Sequence, residues 1–86
     1  MGVYFTKDGR KYRVKLPDPD ALMQLMKTSY DIEFCSEIDG KRFCVPINRV
    51  EAARLLIGKP VKKECGDTKC TIFLQGNRLV AKKRII

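Results

Sequence analysis

From residue 11 to residue 16 the chain alternates strictly: Lys11, Arg13 and Lys15 interleave with Tyr12, Val14 and Leu16. A period of two predicts a β-strand with one apolar face and one basic face. Upstream, Val3-Tyr4-Phe5-Thr6 predicts a second strand, and the intervening Asp8-Gly9 supplies a two-residue hairpin turn. Pro17-Asp18-Pro19 then ends the extended run and opens a helix. Asp18 is placed as its cap, Pro19 at its first position and Asp20 near the positive end of its dipole. The helix is expected to reach about Lys27, burying Leu22, Leu25 and Met26 with Met23 at the margin; Thr28 and Ser29 lie at or beyond its end.

The same plan recurs. Tyr30 to Ile38 and Lys41 to Ile47 flank Asp39-Gly40, and a two-residue turn there pairs Ile38 with Lys41, Cys35 with Cys44 and Ile32 with Ile47. In that register Ile32, Phe34, Ile38, Phe43, Val45 and Ile47 share one face, and Asp31, Glu33, Cys35, Glu37, Arg42 and Cys44 the other. Asn48 caps a second helix, Glu51 completes a capping box, and Gly58 followed by Pro60 ends it. Val50, Ala53, Leu56 and Ile57 are its expected buried side, with Leu55 near the edge. The match of Asp8-Gly9-Arg10-Lys11-Tyr12-Arg13-Val14 to Asp39-Gly40-Lys41-Arg42-Phe43-Cys44-Val45 makes this an internal repeat of hairpin plus helix.

The remainder begins with Val61 to Cys65, crosses Gly66-Asp67-Thr68-Lys69 and forms a last hairpin, Thr71 to Leu74 and Leu79 to Lys83, around Gly76-Asn77. Eighty-six residues hold one core, so residues 1–86 are expected to form a single domain made of units 1–29, 30–59 and 60–86. The expected class is α+β: repeated hairpin-helix units with a final β-hairpin, giving an antiparallel sheet covered by two short helices. Two small sheets or a partly closed barrel satisfy the same pattern.

Charge changes the picture from fold to function. The chain carries a formal +8, unevenly spread: residues 1–30 hold +3, residues 31–57 −1 and residues 58–86 +6. A small domain with such a field attracts polyanions, nucleic acid foremost. Apolar runs such as Leu55-Leu56-Ile57 fall far short of a membrane span, and the charged N-terminal region lacks a signal-peptide pattern. A soluble, cytoplasmic protein with no membrane partner is the expectation.

Four cysteines leave three readings open. Cys35 and Cys44 face each other at a non-hydrogen-bonded position suited to a disulfide, and Cys65 and Cys70 flank a short loop that a second disulfide would close. Alternatively all four, Cys35, Cys44, Cys65 and Cys70, collect around a structural zinc ion, or they remain reduced and structural. Disulfides in a cytoplasmic chain are characteristic of hyperthermophiles, and the abundance of Lys, Arg and Glu with Pro at element ends is compatible with that origin.

Histidine is absent, which removes the commonest general base near neutral pH, and no Ser-His or Cys-His pair exists. Neither Gly58-Lys59-Pro60 nor Asp39-Gly40-Lys41 has the glycine pattern of a phosphate loop. The Cys65–Cys70 spacing is not that of a redox dithiol. Glu33, Glu37 and Glu51 could together hold a divalent ion, but Glu33 and Glu37 sit on a solvated strand face beside Lys41 and Arg42, so the cluster reads as ordinary acidic groups. The expectation is a binding protein, not an enzyme. Its leading ligand is nucleic acid, RNA or single-stranded DNA, contacted without much sequence selectivity by Lys11, Arg13 and Lys15 on one strand face and by Lys62, Lys63, Lys82 and Arg84, with Tyr4 able to stack on a base. The alternative is a protein-interaction module, an assembly or ribonucleoprotein subunit or a homodimer, using an exposed strand edge and the apolar terminus Ile85-Ile86.

Overall fold

The computed structural model describes residues 2–84, so Ile85-Ile86 lies outside the described residues. Strands β1 (Gly2–Lys7) and β2 (Arg10–Arg13) are followed by helix α1 (Asp18–Lys27), β3 (Asp31–Ile38), β4 (Lys41–Ile47) and helix α2 (Arg49–Leu56). Strands β5 (Val61–Cys65), β6 (Thr68–Gln75) and β7 (Arg78–Lys83) complete the chain. The class is α+β as expected, and its strands form two antiparallel sheets, ordered β2-β1-β3-β4 and β5-β6-β7. The C-terminal region is thus a three-stranded meander whose last two strands are the expected hairpin.

Turn chemistry sets these registers. Asp8-Gly9 and Asp39-Gly40 both have positive φ at each residue, the signature of a type I′ turn, whose twist matches that of the flanking strands. The second hairpin pairs Cys35 with Cys44 and Ile32 with Ile47, as its sequence dictates.

The repeat is visible in three dimensions. A shift of 31 residues carries Asp8-Gly9 onto Asp39-Gly40, Asp18 at the start of α1 onto Arg49 at the start of α2, and Val3 onto Phe34. Val3 and Phe34 are themselves cross-strand partners, so the two hairpins join about a local pseudo-twofold at that pair. The shift also relates Ala21 to Ala52, both wholly buried. Helices α1 and α2 pack against each other over one shared core, which contains Ala21, Ala52, Leu22, Leu25, Ile32, Phe34, Val45, Leu55 and Ile72.

Several expectations need correction. Strand β2 stops at Arg13, because its ladder against β1 has reached Tyr4 and Val14 makes one last bond to Val3 near the start of that strand. Its apolar face is therefore only partly buried: Val14 packs half-buried against the core, while Tyr12 and Leu16 are exposed. Asp18 does not cap α1; Pro17 holds that position without a side-chain bond, and Pro19 is the second helical residue. Met26 is exposed, and Ala21 takes its place in the buried stripe beside Leu22 and Leu25. In α2 the capping box forms as expected, with Glu51 N–H donating to Asn48 Oδ1 at 2.7 Å. Its buried side, however, is Ala52 and Leu55, while Val50 and Ile57 point to solvent. Gly58 takes a φ of +85° and, with Lys59, caps the last turn through bonds to Leu55 and Arg54.

Candidate nucleic-acid interface

Alternation along each strand gives the meander an inner and an outer face. Val61, Cys65, Cys70, Ile72 and Leu79 are buried inward. The outward positions are Lys62 and Glu64 on β5, Lys69, Thr71, Phe73 and Gln75 on β6, and Arg78, Val80 and Lys82 on β7. Register puts Lys62, Thr71 and Lys82 in one row across the sheet, with Phe73 beside Val80 in the next. Among the described residues, Lys62, Lys69, Arg78 and Lys82 have no carboxylate within ion-pair distance. Glu64 stands opposite Lys69 in the ladder without forming such a pair. The Lys82 ammonium lies 5.6 Å from the centre of the Phe73 ring.

The neighbouring cations have other tasks. Lys63 points inward, where its ammonium meets both carboxylate oxygens of Glu51 at 3.0 and 2.9 Å, in a pair whose side chains are only 18% and 17% exposed. Arg84 is half-buried and donates to the Lys63 carbonyl at 3.4 Å. Adjacent residues Lys62 and Lys63 therefore differ in role because they differ in strand parity.

A second cationic group sits on the outer face of the larger sheet. The Lys11 ammonium and the Arg13 guanidinium lie 5.6 and 5.9 Å from the Tyr4 ring centre. Lys11 also pairs with Glu33 at 3.4 Å and approaches Cys44 Sγ at 3.9 Å. Tyr4 is thus already flanked by two cations, one of them partly neutralised. Lys15 lies beyond the end of β2, so the expected three-cation strand face contains only Lys11 and Arg13. Of the sequence-derived set, the fold gathers Tyr4, Lys11 and Arg13 in one place and Lys62 and Lys82 in another, and draws Lys63 and Arg84 into internal contacts. Lys69, Arg78 and Phe73 were missed. The polar residues Lys69, Thr71 and Gln75 share the parity of Phe73, which was the available signal.

The cysteines form two disulfides, Cys35–Cys44 with a Cα separation of 4.1 Å and Cys65–Cys70 with one of 5.8 Å. This overturns the zinc reading: sulfurs bonded to each other have no thiolates to offer a metal, and the grouping of Glu33 with Cys35 and Cys44 is not a metal centre for the same reason. Of the acidic groups, Glu51 serves the capping box and Lys63, and Glu33 pairs with Lys11. No helix among the described residues is long and apolar enough to cross a membrane. No family model, curated protein or solved structure matches the chain.

Proposed function

We propose that the protein binds nucleic acid through phosphate contacts made by the outer face of β5–β6–β7, with Tyr4, Lys11 and Arg13 as a second cationic contact. The observation that carries this reading is the group of four cations, Lys62, Lys69, Arg78 and Lys82, that share one face and have no carboxylate within ion-pair distance among the described residues. Four cations against the single carboxylate of Glu64 leave this face net positive, which raises the local concentration of polyanions, and unpaired cations give up little when phosphate replaces water. Strand-borne lysines reading only backbone charge imply weak sequence selectivity. A fluorescence-anisotropy titration against labelled single-stranded RNA, single-stranded DNA and duplex DNA at several salt concentrations tests it. Binding that weakens steeply with salt supports the proposal, and no binding to any of the three at low salt refutes it. A cytoplasmic site of action requires conditions that preserve both disulfides, as in hyperthermophiles.

An interaction module is the second reading, favoured by Val50 and Ile57, which stand 71% and 70% exposed on and just beyond α2. Strand β2 is a poor edge for chain addition, because it is four residues long and three of them are cationic. Light scattering would reveal a persistent dimer if the second reading holds.

A further inference from the structure

Phe73 occupies the middle of β6, the central strand of its sheet, yet faces away from the core that Ile72 and Cys70 enter completely. Phe73 is half-buried there, with the Lys82 ammonium 5.6 Å from its ring centre, and the part of the ring left open is a π surface that can receive another. Its surroundings specify which one. Val80 lies across the ladder beside it, Thr71 precedes it on the same face, and Lys62 and Lys82 flank Thr71 on either side. These two lysines are two strand spacings apart, roughly 10 Å at the backbone, so a sugar-phosphate chain can pass between them. The inner side of the same strand is anchored by the Cys65–Cys70 disulfide, which ties β6 to β5.

We propose that this face is a stacking platform, on which Phe73 receives an unpaired base of a single-stranded nucleic acid while Lys62 and Lys82 contact the adjoining phosphates. The assignment rests on the phosphate-binding reading above and adds a substrate class to it. A duplex keeps its bases stacked on one another and offers this face only phosphates, whereas a single strand offers phosphates and a ring. Lys82 is exposed and has no ion-pair partner among the described residues, so its ammonium moves off the ring to a phosphate without breaking a salt bridge.

The test uses the full chain and its variants Phe73→Leu and Phe73→Tyr. The probes are labelled oligothymidylate, an abasic strand of equal length, the duplex of oligothymidylate with its complement, and polyglutamate. The wild type is expected to prefer oligothymidylate to the abasic strand. Phe73→Leu, which keeps apolar bulk, is expected to weaken oligothymidylate binding roughly tenfold, leaving the abasic strand and the duplex unaffected, and Phe73→Tyr to retain wild-type binding. Melting curves verify that each variant folds. Equal binding of base-bearing and abasic strands, or no effect of Phe73→Leu, overturns the platform while leaving phosphate binding intact. Failure of the wild type to bind any nucleic-acid probe removes both, and binding of polyglutamate alone assigns the face to an acidic polypeptide.

Discussion

The Asp18 carboxylate accepts a 2.7 Å hydrogen bond from the backbone N–H of Leu79, joining the first turn of α1 to strand β7. The Leu74–Leu79 pair is the rung next to the closing pair of the Gly76-Asn77 turn, so the Leu79 N–H points away from β6 and has no ladder partner there. Asp18 N–H in turn donates to the Asn77 carbonyl at 3.0 Å. These contacts tie the turn end of β7 to α1 and connect the repeat to the C-terminal sheet.

Asp18→Ala leaves that N–H without its acceptor and is expected to cost about 1–3 kcal/mol. Thermal unfolding should fall by roughly 4–8 °C for each kcal/mol lost. Asp18→Asn, which retains an acceptor oxygen, should lose less. An unchanged melting temperature for Asp18→Ala would show that the contact does not contribute to stability.

Lys62 and Lys63 are predicted to separate binding from stability. Lys63→Gln removes the partner of a largely buried Glu51 carboxylate and should cost about 1–3 kcal/mol, read by denaturant unfolding. Lys62→Gln touches no ion pair and should change stability by less than about 0.5 kcal/mol. In nucleic-acid titrations the order reverses, with Lys62→Gln weakening binding and Lys63→Gln leaving it near wild type.

The disulfides give a further expectation. In the chain-entropy account, closing the loops between Cys35 and Cys44 and between Cys65 and Cys70 is worth about 2–3 kcal/mol each. Under a mild thiol reductant, Cys35–Cys44 should open before Cys65–Cys70, because Cys44 is exposed whereas Cys65 and Cys70 are both buried. Alkylation and peptide mass mapping along a reduction course measure the order. Zinc added to the oxidised protein should not be retained.

What the sequence disclosed follows from how many constraints each element carried. The register of the β3–β4 hairpin was legible to the residue, because a type I′ Asp39-Gly40 turn permits one register and that register sends six large apolar side chains to one side. The buried side of α2 was not. In eight residues, Val50-Ala53-Leu56 and Ala52-Leu55 both satisfy helical spacing, and packing against α1 selected the second. Met26 fitted the helical stripe of α1 equally well, but the face that meets the core is the one bearing Ala21, Leu22 and Leu25, and Met26 is left exposed. At the site, the charge excess of the C-terminal segment was readable, whereas the division of labour between Lys62 and Lys63 depends on a carboxylate twelve residues away. Phe73 was not singled out, although Thr71 and Gln75 on the same parity mark its side of the strand as the polar one.

The salt dependence of single-strand binding, compared between wild type and the double variant Lys62→Gln/Lys82→Gln, tests the central claim most directly. Each phosphate neutralised on a single strand contributes about 0.7 to the slope of log affinity against log salt, so losing both lysines should lower the slope by about 1.4. That decrease, with unfolding stability unchanged, is the predicted result. A slope identical to that of the wild type would contradict the claim that this sheet face holds the phosphates.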